Sequence, residues 1–269
     1  MSLIRDIPLN GSWSGLSESG AVLQTDPGLF NILDNPGPVP GYMDFVADPL
    51  SQRGTVMKAS VDSFAYPTPG NPNGTTGNRS EFYCPSEPVS AGVPVERWYK
   101  FGLLFTDEWG GADDRLFSVM QMHDKPDGGD ASRWPNLMLL ADGNDLQPAV
   151  PKTDPPAEDM SRRYIGSAPL VRNKWIDVVL HVRWSQEADT GLFEMFVSGV
   201  PIFREIRRAN AFVDVYGPQF KLGVYNTYKH TGSGKICAMY YSAVKHYDGI
   251  ESYSDMVGAI SALPVTSQM

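Results

Sequence analysis

The stretch Gln219–Asn226 carries side chains that can bind an anion and move a proton. Its apolar residues alternate with Lys221, Gly223 and Tyr225, so a strand here would place the lysine and the tyrosine on one face. An ammonium group attracts anions, and a phenol can give or take a proton. The glycine between them indicates a place where something approaches the backbone closely.

A second stretch, residues 79–83, places Arg79, Glu81 and Tyr83 on one face of a predicted strand. One interpretation is a surface ion pair, which contributes little to stability. The other is a guanidinium held by its glutamate neighbour so that its fork meets the carboxylate of a ligand. Considered alone, this stretch favours the surface pair.

A third stretch, residues 116–123, ends in two polar side chains. Strict alternation would place Phe117, Val119, Gln121 and His123 on one face, with the last two roughly 7 Å apart along the strand. A single histidine near a strand end is more often solvated than catalytic. The adjacent glutamine strengthens the functional interpretation only modestly, so the three stretches must be judged together.

The composition narrows the possible partners. The chain has 269 residues and a net charge of −9, and no Lys/Arg-rich block is present to neutralise phosphates, so no nucleic-acid partner is expected. An anionic ligand would therefore need a local positive cluster that works against the overall field. No apolar run is long enough to span a bilayer, so no membrane partner is expected either.

The cysteines and histidines show no metal-binding or redox motif. Cys84 and Cys237 lie at an unrelated spacing, which favours two buried thiols over a disulfide. The four histidines show no metal-ligand spacing with one another; they are His123, His181, His230 and His246.

Short strand-like segments separated by Gly- and Pro-rich turns dominate the chain, and 3.6-residue periodicity is almost absent. This pattern predicts an all-β fold, either a sandwich or a jelly roll. Residues 66–77 are predicted to be a long loop, and residues 1–50 to be edge strands and loops of the same body. Without a repeat or a domain boundary, residues 1–269 are predicted to form a single domain. Further strands are expected at 54–64, 98–106, 135–140, 175–184, 192–197 and 235–245.

Taken together, the three stretches resemble the signature strands of the β-jelly-roll polysaccharide lyases. In alginate lyases of family seven these strands read approximately R-[S/T]-E-L, Q-[I/V]-H and Y-F-K-A-G-x-Y-N-Q. This chain has, in the same order, Arg79-Ser80-Glu81, Gln121-Met122-His123 and Phe220-Lys221-Leu222-Gly223-Val224-Tyr225-Asn226. The segments 98–102 and 175–199 are more similar to the glucuronan-lyase and heparin-lyase-I-like group, and the resemblance covers residues 55–250.

The chain departs from the family-seven pattern next to the matched residues. Gln219 stands where the family has tyrosine, Leu222 where it has alanine, and Thr227 where it has glutamine. Met122 replaces the usual isoleucine or valine. None of these positions carries the expected chemistry.

The resemblance implies a fold, an activity and a set of catalytic residues. The fold is a concanavalin-like sandwich of two antiparallel sheets with a concave substrate cleft, and the signature strands lie side by side on the concave sheet. The activity is β-elimination on a uronic-acid-containing anionic polysaccharide of alginate or glucuronan type, which leaves 4,5-unsaturated uronate ends. The catalytic residues implied by the matched motifs are Arg79, Gln121, His123 and Tyr225.

Such an elimination removes the C5 proton beside a carboxylate, where it is barely acidic. Neutralising that carboxylate with Arg79, Gln121 and a protonated His123 lets the transition state resemble an enolate. A tyrosine hydroxyl ordinarily has a pKa of about 10, so a tyrosine base needs nearby positive charge, for which Arg79 and Lys221 are candidates. Tyr225 would transfer both protons if base and leaving group share a ring face. If they do not, His123 would take the proton and Tyr225 would return it.

The resemblance also bears on binding, cofactors and location. This chemistry requires no metal, although related heparin lyases carry a structural calcium whose site is not identifiable here. A monomer acting on an anionic polysaccharide is expected, and the substrate implies secretion although residues 1–8 do not resemble a signal peptide. Substrate-binding residues are expected beside the catalytic four, with the 66–77 loop as one wall: Asn78, Glu81, Lys221, Asn226, Tyr228, Lys229 and His230.

A non-catalytic carbohydrate-binding jelly roll is the main alternative, with Trp109, Trp134 and Tyr228 as sugar platforms. The predicted catalytic group argues against it, because a binding module needs no phenol beside a carboxylate clamp. A jelly-roll glycoside hydrolase would need two carboxylates flanking one bond, and no strand shows Glu and Asp in that alternation. The lyase interpretation is therefore favoured.

Overall fold

The computed structural model describes residues 2–6, 22–25, 28–35, 43–62, 66–68, 71–76, 79–90, 92–109, 116–124, 127, 133–153, 155, 161–226, 236–248, 254 and 256. Regular structure in these residues is almost entirely β. The strands are β1 Ser2–Asp6, β2 Val22–Thr25, β3 Gly28–Asn35, β4 Met43–Ala47, β5 Thr55–Asp62, β6 Tyr66–Thr68, β7 Asn71–Thr76, β8 Arg79–Tyr83, β9 Val95–Trp109, β10 Leu116–His123, β11 Leu137–Asp142, β12 Asp145–Pro151, β13 Arg162–Tyr164, β14 Ala168–Pro169, β15 Trp175–Trp184, β16 Gly191–Val197, β17 Val200–Arg208, β18 Gln219–Asn226 and β19 Ile236–Asp248.

Two antiparallel sheets form the body of the molecule. The front sheet has the order β13-β12-β11-β10-β18-β8-β3-β2, with β14 also paired to β12. The back sheet has the order β17-β16-β15-β9-β19-β5-β4, with β1 paired to β19. The predicted all-β sandwich of two antiparallel sheets is confirmed, and the three signature strands β8, β18 and β10 are neighbours in the front sheet.

The core lies between the two sheets and follows from the alternation read in the sequence. Phe220, Leu222 and Val224 of β18 are each at most 1% exposed and pack in this core. Phe220 stacks on Tyr99 of β9, with ring centroids 4.9 Å apart. Burying one such side chain stabilises the fold by roughly 2 kcal/mol, so the inner face of β18 anchors it and leaves its other face for the site.

A β-bulge in β10 makes one part of the sequence prediction wrong. Phe117 and Val119 pack in the core, whereas Gln121 lies on the outer face of the front sheet, where it reaches Glu81. The register with both neighbouring strands shifts around Val119. Since one extra residue moves the following side chains to the other face, Gln121 and His123 share a face with each other but not with Phe117 and Val119.

Two side-chain hydrogen bonds to backbone carbonyls stabilise the bulge. Tyr241 of the back sheet is fully buried and donates its hydroxyl to the Val119 carbonyl at 3.0 Å. Burial raises the pKa of Tyr241 well above its ordinary value, so the hydroxyl stays protonated and remains a donor. Ser118 Oγ donates to the Met120 carbonyl at 3.2 Å across the same bulge. These contacts compensate for irregular ladder pairing and fix the orientation of Gln121.

Gly223 is the glycine at which the sequence analysis predicted that another group approaches the backbone closely. Its φ is 145°, a conformation that favours glycine. A Cβ at this position would lie 2.5 Å from Glu81 Cα and still closer to the Ser80 carbonyl oxygen. The chain that approaches is therefore the backbone of β8.

Other sequence predictions are corrected in the connecting regions. The predicted loop 66–77 contains β6 and β7, which pair with each other in a small two-stranded sheet. The sequence analysis did not predict β12 and β13. In β12, the prolines obscured the strand pattern. Of the N-terminal strands, β2 and β4 lie at sheet edges, while β3 is flanked on both sides.

Cys84 and Cys237 are both buried in the core. This agrees with the buried thiols favoured from the sequence. No helix among the described residues is long and apolar enough to cross a membrane.

Candidate active site

The outer face of the front sheet brings the signature residues together in two cross-strand rows. In the first row, Arg79 of β8 lies opposite Tyr225 of β18. In the second, Lys221 of β18 lies between Tyr83 of β8 and Gln121 of β10. Direct cross-strand neighbours on one face are close enough for side-chain contact, so these residues form one group.

Glu81 connects the two rows from below. Its side chain is fully buried, and its Oε1 accepts a hydrogen bond of 2.6 Å from Gln121 Nε2. Arg79 Nη1 lies 3.8 Å from Glu81 Oε2, while the arginine side chain remains 29% exposed. The pair is therefore no surface ion pair, because its carboxylate is fully buried and its guanidinium only partly exposed. That the guanidinium meets the carboxylate of a ligand stays a prediction.

The guanidinium of Arg79 also covers the ring of Tyr225. Its central carbon lies 4.2 Å from the ring centroid, a distance typical of a cation–π contact. Lys221 lies instead near the ring of Tyr83, 6.0 Å from its centroid. Since four residues of strand separate Lys221 from Tyr225, about 13 Å, Arg79 is the positive charge next to the phenol.

Lys221 is a buried cation inside the group. Burial lowers the pKa of its ammonium below the ordinary value, Glu81 opposes this shift, and Arg79 adds to it. Only 8% of the residue is exposed. The group brings two basic side chains, Arg79 and Lys221, to one acidic side chain, Glu81, in a protein of net charge −9.

His123 lies at the other end of the group from Tyr225. The residue opposite Tyr225 on β10 is Ser118, five residues before His123, which corresponds to about 16 Å along the strand. The His123 side chain is 23% exposed, and its Nδ1 lies 3.6 Å from Asp124 Oδ1. His123 and Tyr225 thus flank the space over Gln121, and their backbones are far apart.

Asp124 belongs to a charged cluster that the sequence reasoning missed. Arg133 Nε donates to Asp124 Oδ2 at 2.7 Å, and the same guanidinium pairs with Asp214. Burial alone would raise the pKa of Asp124, but contacts with His123 and Asp214 and the charge of Arg133 lower it to about 2. Burial and the contact with ionised Asp124 raise the pKa of Asp214 to about 7. Arg133 and Asp214 lie outside the strands, so no periodic signal marked them.

The remaining predicted binding residues divide into three kinds. Glu81 is too buried to touch a polymer and supports its neighbours instead. Asn226 ends β18 opposite Phe117. The other four lie outside the described residues: Asn78, Tyr228, Lys229 and His230.

The structure also bears on the sequence predictions about metal sites and about aromatic residues that could pack against a sugar. Among the described residues, no group of three or more His, Cys, Asp or Glu side chains is arranged to hold a metal ion. The absence of a required cofactor stays a prediction. Trp109 is 1% exposed and lies in the core, so it is no sugar platform, whereas Trp134 packs on the outer face of the front sheet.

On one face, this arrangement combines hydrogen-bond donors for an anion, a group that can transfer a proton, and a buried carboxylate that supports the donors. Arg79 and the amide of Gln121 can donate hydrogen bonds to an anion. Tyr225 has a hydroxyl that can transfer a proton, and the guanidinium of Arg79 lies over its ring. The buried Glu81 keeps the donors in position, as a supporting residue does in a preorganised site.

Solved structures share this architecture at low sequence identity. An endo-β-1,4-glucuronan lyase from the fungus Trichoderma reesei matches with a TM-score of 0.61 and 18% identity, covering 81% of this chain and 90% of that one. A family 7 alginate lyase, solved in complex with substrate, matches with a TM-score of 0.53 and 12% identity, covering 81% and 86%. At these identities the likeness establishes the fold, a β-jelly-roll sandwich.

The same fold also occurs in a protein named as a binding domain. The binding domain of botulinum neurotoxin serotype C1 matches with a TM-score of 0.51 and 11% identity, covering 87% of this chain and 52% of that one. The fold by itself therefore does not separate enzymes from binding domains.

Comparison of the sequence with protein-family models distinguishes an enzyme from a binding domain. No curated protein sequence is a significant match to the chain. The family model described as polysaccharide lyase matches residues 30–245, which include all three signature strands and most of both sheets. This chain therefore belongs to the polysaccharide lyase family and is a polysaccharide lyase.

Proposed function

We propose that this lyase cleaves a uronic-acid-containing polysaccharide, of alginate or glucuronan type, by β-elimination at the outer face of β8, β18 and β10. The observation that carries the proposal is the Glu81-centred group, in which Arg79 is held over Tyr225 and Gln121 is held beside them. Polymers of this kind lie outside cells, so we expect the enzyme to act there.

The uronate carboxylate is proposed to bind between Arg79 and Gln121. Glu81 takes up one N–H of Gln121, and the other N–H is proposed to donate to the carboxylate, although only 2% of Gln121 is exposed before substrate binds. Lys221 adds positive charge from within the sheet. Neutralising the carboxylate in this way stabilises the negative charge that develops when the C5 proton leaves.

Tyr225 is proposed to carry out both proton transfers. Its phenolate takes the C5 proton, the electron pair forms the C4–C5 double bond, and the C4–O4 bond breaks. The phenol then returns the proton to the departing O4, so no water is consumed. The register separation between His123 and Tyr225 favours this same-face route, and His123 is assigned to the sugar residue further along the chain.

The test is an absorbance assay with defined polymers. Incubation with alginate, glucuronan or a heparin-type polymer should generate a product that absorbs in the near ultraviolet, because the new double bond is conjugated with the carboxylate. Mass spectrometry should show no added water. Reducing ends that appear without this absorbance would indicate hydrolysis and would contradict the proposal.

A further inference from the structure

The row of outer-face residues that contains Gln121 continues across the front sheet. Gln121 pairs with Met138 of β11, Met138 with Ala149 of β12, and Ala149 with Tyr164 of β13. Three strand spacings amount to about 14 Å. Tyr164 is 46% exposed at the far end of this row, so a chain that leaves the candidate site across the strands meets its ring.

Arg162 is held in place beside Tyr164. Its guanidinium lies 4.8 Å from the Trp134 ring centroid and 5.4 Å from that of Tyr164. Its Nε and Nη2 donate to the Tyr164 hydroxyl at 3.2 Å and 3.1 Å. Two rings and a hydroxyl therefore orient the guanidinium, and Nη1 is left without an acceptor in the part of the chain that the structure describes.

The guanidinium of Arg162 differs from those of Arg53 and Arg97 in this acidic protein. Within the described ranges it has no carboxylate partner, whereas Arg53 pairs with Asp177 and Arg97 pairs with Glu87. A guanidinium with an ordered plane and no carboxylate partner among the described residues suits the planar, two-oxygen geometry of an external carboxylate. The exposed ring of Tyr164 adds a surface on which a sugar can pack.

We propose that Arg162, Trp134 and Tyr164 form a binding subsite for the carboxylate of a uronate residue remote from the bond that is cleaved. The proposal rests on the proposed function, since it takes the same polysaccharide and gives its direction across the sheet. Trp134 supports the guanidinium, Arg162 binds the carboxylate, and Tyr164 holds the arginine and contacts the sugar ring.

The test uses Arg162→Gln and uronate oligosaccharides of increasing length. The variant should raise KM for the polymer and for long oligosaccharides by roughly 10-fold, the effect of losing a hydrogen bond to a charged group. Its kcat should be unchanged, and so should its KM for the shortest oligosaccharide that is cleaved. Arg204→Gln is the matched control, because Arg204 is an exposed arginine of the back sheet whose side chain is 65% accessible; it should behave as the wild type at every length.

Tyr164→Phe provides a second variant should Arg162→Gln fold poorly. It keeps the ring and removes the hydroxyl that orients the guanidinium, so it should cause a smaller rise in KM with the same dependence on length. An unchanged KM at all lengths, or an equal loss at all lengths, would overturn the proposal. So would a loss in Tyr164→Ala without a loss in Arg162→Gln, since the occupant would then be a sugar without a carboxylate.

Calorimetric binding separates this proposal from the proposed function. Long uronate oligosaccharides are titrated into Tyr225→Phe with and without Arg162→Gln, so that binding is measured without turnover. If the wild type releases no unsaturated product, the proposed function fails, yet weaker binding in the double variant still supports the subsite. If product is released and binding is equal in both proteins, only the subsite is wrong.

Discussion

At the scale of single residues, the contact between Arg79 and Tyr225 is the most important one for the proposed chemistry. The guanidinium lies 4.2 Å from the ring centroid, within the range of a cation–π contact. The same arginine remains partly exposed and can also meet the substrate. In the proposed mechanism, the base and the carboxylate-binding group would therefore be adjacent, as proton removal next to a carboxylate requires.

Tyr225→Phe tests the role of the hydroxyl. The ring and its contact with Arg79 are kept, so stability should change little, while turnover should fall by about 10²–10⁴-fold. Substrate affinity should stay within a few-fold, because the proposed carboxylate ligands Arg79 and Gln121 are unchanged. Turnover and thermal midpoint are measured on one preparation. Tyr83→Phe, the same change on the same face, should leave turnover close to wild type, and a near-normal rate in Tyr225→Phe would remove this tyrosine from the mechanism.

Gln121→Leu tests the buried hydrogen bond to Glu81. Without the amide, a buried carboxylate oxygen loses its donor, so the free energy of unfolding should fall by about 2 kcal/mol. Urea denaturation measures this loss. Gln147→Leu is the matched control on the same outer face, because Gln147 lies opposite Leu140 and is only partly buried. Equal stability of the two variants would contradict the supporting role of Glu81.

At the scale of elements, the close pairing of β8 and β18 depends on Gly223. In Gly223→Ala the new methyl group collides with the β8 backbone, and a residue with a side chain is also strained at φ 145°. A loss of roughly 3 kcal/mol or more is expected. Gly199→Ala is the control, since Gly199 has φ 80° but nothing within 4 Å of a Cβ; it should lose only about 1 kcal/mol. Similar losses in both would show that steric contact with β8 is unimportant.

The Asp124–Arg133–Asp214 cluster ties the segment before β18 to the end of β10, and its titration is measurable. Folding raises the pKa of Asp214 from 3.8 to about 7. The folded state thus keeps a proton that the unfolded chain loses, so this contribution is complete below about pH 4 and is lost as the pH rises through about 7. Asp214→Asn cannot titrate, so its stability relative to wild type should rise between pH 4 and 8. Urea denaturation at several pH values checks this. A stability difference between Asp214→Asn and wild type that does not change with pH would contradict the raised pKa.

At the scale of the whole molecule, the two sheets share one core, which predicts cooperative unfolding. Buried tryptophans such as Trp109 and Trp184 lie in that core. Tryptophan fluorescence and far-ultraviolet circular dichroism should therefore report one coincident transition in urea. Two separated transitions would contradict the prediction of a single domain.

The sequence by itself determined which segments form the signature strands and, in two of them, which side chains face outward. A period of two is a local property, so the alternation in β8 and β18 predicted the outer-face positions of Arg79, Lys221 and Tyr225. The order of the motifs along the chain likewise identified the family. The alternation within each strand and the order of the motifs can both be read from the sequence without any tertiary contact.

Tertiary structure decided the details that depend on residues far apart in the chain. The bulge at Val119 reverses the face of β10, and Tyr241 of the opposite sheet supports it. The chain that approaches Gly223 is β8, and the partner of Arg133 beyond Asp124 is Asp214. Strand register and side-chain pairing are set by packing across the whole sandwich, which no local period in the sequence records.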